Sequence, residues 1–170
     1  MKTFKDYLEY PLAKGSVLGA SVMVAVTPGL NYVSSIVTGN PMPWSRPFTG
    51  CVSLAAAGTV NCATTFTIKS LLGGDAKDAS DGKRFFTSFM AGMASGLTTC
   101  SLESVALNQL STKTSMMQTA RTMHHHYGFA GFFRGANGMM AREGGWASMY
   151  MAAVPILSQR FKEAGCNRPL

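Results

Sequence analysis

Few side chains in this sequence can do chemistry, and the most pointed are charges stranded among apolar residues. Arg142 and Glu143 border an uncharged stretch from Gly144 to Gln159, and Glu103 directly follows another from Phe85 to Leu102. An ionisable group at membrane depth is costly unless it faces a cavity, a partner or an opposite charge. Arg142 and Glu143 therefore read either as a substrate contact or as part of a structural ion pair, with Glu103 as the natural counter-charge of Arg142. Phe133-Arg134-Gly135 precedes a helical pattern, and unpaired amides at a helix N-terminus beside an arginine suit a phosphate group. His124, His125 and His126 are consecutive, so on a helix they point in three directions and cannot share a tetrahedral metal. No metal site is expected. Cys51, Cys62, Cys100 and Cys166 contain no Cys-x-x-Cys pair and read as small buried hydrophobes. Nucleophile-elbow, zincin, Walker and dinucleotide-binding motifs are absent from the sequence, and no enzyme is expected.

The elements that must hold these residues follow from the charge pattern. Of 170 residues, 46% are hydrophobic and only 14% charged, against about 25% charged in soluble domains. Uncharged blocks of 31 residues between Lys14 and Arg46 and of 22 between Arg46 and Lys69 exceed the roughly 20 residues a helix needs to cross a bilayer core. Four apolar segments emerge, at about 15–38, 47–69, 85–107 and 136–159. Gly39 to Arg46, with Pro41 and Pro43, predicts a tight turn, and Leu71 to Arg84 a solvated loop. Met116, Ala120 and Met123 share one face of an amphipathic helix within Thr112–His126. The expected fold is an all-α membrane protein with about four transmembrane helices and one short amphipathic surface helix. The net charge of +7 is scattered along the chain, which suits anionic lipid as a partner and does not suit nucleic acid.

Small residues recur at helical spacing. Gly15 and Gly19 are four apart, and Ser88, Gly92 and Gly96 continue the same step, which predicts grooves for close helix packing. Nine residues after Gly19 stands Pro28, and nine after Gly92 stands Ser101; Gly39 precedes Arg46 by seven, as Gly135 precedes Arg142. The two halves thus share a weak internal repeat.

These residues resemble the mitochondrial carrier family, best over residues 88–162. Ala91 to Leu110, A-G-M-A-S-G-L-T-T-C-S-L-E-S-V-A-L-N-Q-L, is similar to the end of a carrier's odd-numbered helix with its P-x-[DE]-x-x-[KR] motif. Gly128 to Gly135, G-F-A-G-F-F-R-G, resembles the signature before an even-numbered helix, and Arg142 and Tyr150 stand where the family often has an arginine and an aromatic. The resemblance implies cardiolipin at Phe133, Arg134 and Gly135, and no other cofactor. It makes Ser101, Glu103, Ala106 and Pro28 the remains of a degenerate carrier motif. Ser101 replaces the kinking proline and Ala106 the basic residue, while Leu30 and Val33 occupy the acidic and basic positions after Pro28. In the family those acidic and basic residues form the ion-pair ring that opens and closes during transport; Glu103 alone survives.

The implied fold is an incomplete carrier-like one, with residues 1–75 as a truncated degenerate repeat of two helices. Residues 84–165 form a more complete repeat of helix, surface helix and helix. Four helices cannot enclose the family's cavity alone. The implied function is a non-transporting accessory subunit of a mitochondrial inner-membrane complex, respiratory chain or ATP synthase, multi-pass and partnered by other membrane subunits. The alternative is a transporter of small anionic metabolites acting as an oligomer.

Overall fold

A computed structural model describes residues 4–39, 47–76 and 79–163. Among the described residues all regular structure is helical: α1 (Phe4–Thr38), α2 (Cys51–Leu71), α3 (Asp81–Thr112), α4 (Met116–Tyr127), a 3₁₀ turn (Phe129–Phe133), α5 (Ala136–Ser148), a π turn (Met149–Ala153) and α6 (Val154–Glu163). Local chemistry sets the boundaries. Ser80 and Ser115 cap α3 and α4 by accepting from the amides of Lys83 and Gln118. Gly50 and Gly135 precede α2 and α5 with φ of 77° and 88°, a left-handed conformation open to glycine without strain.

The four apolar segments each fall on helix, and the amphipathic stretch is α4. Three boundaries differ from expectation. Helix α1 begins at Phe4 rather than near residue 15, because the charges of Lys5, Asp6, Glu9 and Lys14 mark where an apolar run stops and not where a helix must. Helix α3 begins at Asp81, taking Lys83 and Arg84 out of the expected loop. The last segment is one continuous rod whose register is interrupted by the π turn. The expected turn at Gly39–Arg46 lies outside the described residues beyond Gly39 itself, as do Arg46 and Cys166.

Two helices, Tyr10–Thr38 and Cys51–Leu71, are long and apolar enough to cross a membrane. The expected third and fourth crossings contain more polar residues and do not reach that measure. Several of their hydroxyls nevertheless return to their own helix: Thr87 donates to Lys83 O at 2.8 Å, Thr99 to Ser95 O at 2.7 Å and Ser148 to Gly144 O at 2.8 Å. Such back-bonding leaves little polar demand on the surroundings. Pro28, which has no amide to donate, sits inside α1 beside Thr27, whose hydroxyl donates to Met23 O at 2.6 Å.

The distribution of side chains is inverted relative to a water-soluble bundle. The largest fully buried side chains are Thr27, Thr99, Cys100, Ser53, Ser88, Ser95 and Ser148, whereas Val37 is 79% and Val52 80% exposed. In water an outer surface of this kind is an aggregation liability; in lipid it is the expected arrangement, because small residues bring helices together and apolar ones face the acyl chains.

Packing runs in series: α1 lies on α2, α2 on α3, and α3 on α5, with α4 and the 3₁₀ turn against α3. Among the described residues no extensive contact joins α1 to α5, so this row does not close into a ring. Both outer interfaces are made by glycine. A Cβ on Gly19 would strike the Gly58 carbonyl, and one on Gly15 would lie 2.7 Å from Cys62 O. A Cβ on Gly92 would strike the Glu143 carbonyl, and one on Gly96 would lie 2.9 Å from Met139 O. Ser88, on the same face of α3, is fully buried.

Candidate functional site: an ion-pair cluster and a Phe-Arg-Gly turn

The glycine contact between α3 and α5 brings together three charged side chains from the two helices. Arg142 Nη2 donates to Glu103 Oε1 at 2.6 Å and Oε2 at 2.7 Å, and to Glu143 Oε1 at 2.7 Å; its Nε donates to Glu143 Oε1 at 2.9 Å. The Arg142 side chain is 44% exposed, whereas Glu103 and Glu143 are 14% and 16% exposed. A guanidinium held by two carboxylates is a strong, geometrically fixed arrangement. Its hydrogen-bonding edge toward Glu103 and Glu143 is already engaged.

The other positions of the degenerate motif do not join this cluster. Ser101 keeps its amide, and α3 runs through it without interruption. Ala106 is fully buried and forms an apolar cluster with Leu54 and Leu110, against which Met23 and Leu30 pack. Leu30 and Ala106, the residues at an acidic and a basic gate position, thus belong to one hydrocarbon cluster. Val33 is 54% exposed.

The Phe-Arg-Gly turn lies where α4 gives way to α5. Cys100 Sγ donates to Phe132 O at 3.5 Å, tying the 3₁₀ turn to α3. Phe129 packs against Phe132 and Phe133, and the Arg134 guanidinium sits 5.9 Å from the centre of the Tyr127 ring, within cation–π range. Gly135 O accepts from Met139 N, and no side chain caps the first turn of α5. Arg134 and the leading amides of α5 therefore stand together at an open helix start.

Two anchors were not legible as such in the sequence. Lys69, buried at the end of α2, donates to Met151 O at 2.9 Å in the π turn and pairs with Asp75 at 3.1 Å. Its only signal was a lone charge closing an apolar run. Asn31 donates to Pro47 O and Thr49 O at 2.9 and 3.0 Å, clipping the approach to α2 onto α1. Among the described residues, Cys51, Cys62 and Cys100 are free thiols, and no group of three or more His, Cys, Asp or Glu is placed to hold a metal. His124, His125 and His126 are exposed at the end of α4.

The sequence profile of the family described as mitochondrial carrier protein matches residues 77–164, from just before α3 to the end of α6. This chain belongs to the mitochondrial carrier family. No curated protein and no solved structure matches it. The carrier match covers both the ion-pair cluster and the Phe-Arg-Gly turn, and leaves α1 and α2 outside. Members of the family are transporters rather than enzymes, and this carrier-family chain has the apolar helices of a mitochondrial membrane protein.

Proposed function

We propose that this chain is a non-transporting, carrier-like structural subunit of a mitochondrial inner-membrane assembly such as a respiratory-chain complex or the ATP synthase. The observation that carries the reading is the contact of Leu30 with the Ala106 cluster. Where the family has oppositely charged gate residues, this chain has hydrocarbon. An ion pair can break and reform with a cycle of solvation, but an apolar contact between the same helices gains its free energy by staying closed. Four crossings, multi-pass topology and two carrier-like repeats at residues 1–75 and 84–165 belong to the same reading. So does a cardiolipin phosphate at Phe133, Arg134 and Gly135, since a basic residue beside free helix amides suits an anionic headgroup.

The open row of helices supports a partner. Ring closure would need helices that these four do not supply, and the half-exposed Arg142 on α5 requires cover in a bilayer. Native electrophoresis in mild detergent, with mass spectrometry of the migrating band, tests the proposal. The chain is expected at fixed stoichiometry with other membrane subunits; recovery as a stable free monomer would overturn it. The half-exposed Arg142 favours one other reading, an oligomeric transporter of small anions. Uptake of an anionic metabolite by the reconstituted chain, abolished in Arg142→Ala, would establish that instead.

A further inference from the structure

The corner where α4 meets the 3₁₀ turn carries basic residues and no acid. Between Glu103 and Glu143 lie 39 residues without an Asp or Glu, so all eight carboxylates of the chain fall outside this stretch. The chain's three histidines all fall inside it. His124, His125 and His126 stand exposed in the last turn of α4, and Arg121 is exposed one turn earlier. Their rings lead onward. His125 meets His126 edge-on at 5.5 Å, His126 lies 6.2 Å from Tyr127, and the Arg134 guanidinium sits 5.9 Å from the centre of the Tyr127 ring. One continuous surface therefore joins the histidines to Arg134 and the open start of α5.

The elements packed against α4 bring no uncommitted acid to this surface. They are α3 and the 3₁₀ turn. The turn has no charged residue, Glu103 of α3 is held on both oxygens by Arg142, and Lys113 at the C-cap of α3 is itself a cation. Asp81, Lys83 and Arg84 stand at the opposite end of α3, with Asp81 paired to Arg160. Tyr127 and Phe129 are largely exposed beside the cations. Aromatic rings among cations suit the boundary between anionic headgroups and acyl chains, whereas a dissolved anion leaves the rings uncovered. Histidine is the side chain whose charge ordinarily changes between about pH 5 and 8, gaining a proton as the pH falls.

We propose that His124, His125 and His126 make this corner an acid-strengthened anchor for the anionic headgroups of a bilayer surface, continuous with Arg134. The inference rests on the membrane reading above and adds regulation to the anionic-lipid site proposed there: Arg134 supplies a fixed charge and the histidines a variable one.

The full chain, reconstituted in phosphatidylcholine vesicles, is tested by electron spin resonance with spin-labelled phosphatidylglycerol, whose association is read against spin-labelled phosphatidylcholine. Lowering the pH from about 8 to about 5 is expected to raise the preference for the anionic lipid at least about threefold. Replacing the triplet together, by His124→Gln, His125→Gln and His126→Gln, is expected to abolish that rise and to leave the value at the higher pH unchanged. Replacing all three by Arg is expected to give the stronger association at both pH values, which keeps the test decisive if the Gln variant fails to fold. An equal rise in the Gln variant, or no rise in the unaltered chain, would overturn the proposal. So would inorganic phosphate or an acidic peptide that binds with the same histidine dependence while the lipid preference does not move. Arg134→Gln is expected to lower association equally at both pH values. If it has no effect while the histidine-dependent rise persists, the Arg134 site falls and the present inference stands.

Discussion

The α1–α2 pair and the α3–α5 pair are joined by the same device and carry different cargo. In both, glycines at four-residue spacing let one backbone rest on the other, at Gly15 and Gly19 against α2 and at Gly92 and Gly96 against α5. The first pair has the two most apolar helices and places Leu30 where a carrier has an acid. The second holds the Arg142 cluster and the Phe-Arg-Gly turn, and it alone lies within the family match. Close packing needs only small side chains at the right period. Switchable chemistry needs particular charges, and one substitution removes it.

The sharpest way to break the contrast is to remove the one cation of the Glu103–Arg142–Glu143 cluster. Arg142→Leu leaves Glu103 and Glu143 facing each other without compensation, and is expected to destabilise by about 3 kcal/mol or more. Thermal melting in detergent measures it, and adding Glu103→Gln should recover much of the loss. An unchanged melting temperature would mean that the cluster holds nothing together. Next come Gly19→Leu and Gly92→Leu, each expected to cost about 1–3 kcal/mol as helices are forced apart. Spin-label distances should show the α1–α2 gap opening in the first variant only and the α3–α5 gap in the second only; a shared response would merge the two halves into one unit. Lys69→Met removes the donor to Met151 O, which is expected to destabilise by about 1–3 kcal/mol and to speed amide exchange in the π turn while sparing α1. The smallest effect is expected for Ser115→Ala, about 1 kcal/mol from the lost cap, read as faster exchange in the first turn of α4 with the rest unchanged.

Legibility in the sequence followed period and failed with geometry. Helix α4 could be read because Met116, Ala120 and Met123 recur at one angular interval, and the glycine grooves could be read for the same reason. The pairing of Arg142 with Glu103 was one of two readings left open by their isolation among apolar residues, and the structure brings the two side chains to 2.6 Å. The start of α1 was not legible, because a charged turn and an apolar turn of one helix differ in composition and not in backbone. The gathering of Leu30 and Ala106 into one apolar cluster was visible only as two separate losses from a pattern, since nothing along the chain says that positions 76 residues apart share a core. Lys69 was invisible for the converse reason: its acceptor is a main-chain oxygen, which every residue carries.

The π turn held by Lys69 gives the final rod a step in azimuth. One inserted residue rotates everything downstream by roughly 100° about the axis, so Leu157 and Phe161 look out along a bearing that the spacing of α5 would not assign them. Deleting Ala152 should swing that terminal segment back into phase with Trp146 and Tyr150, turning a rod with two compass headings into a rod with one.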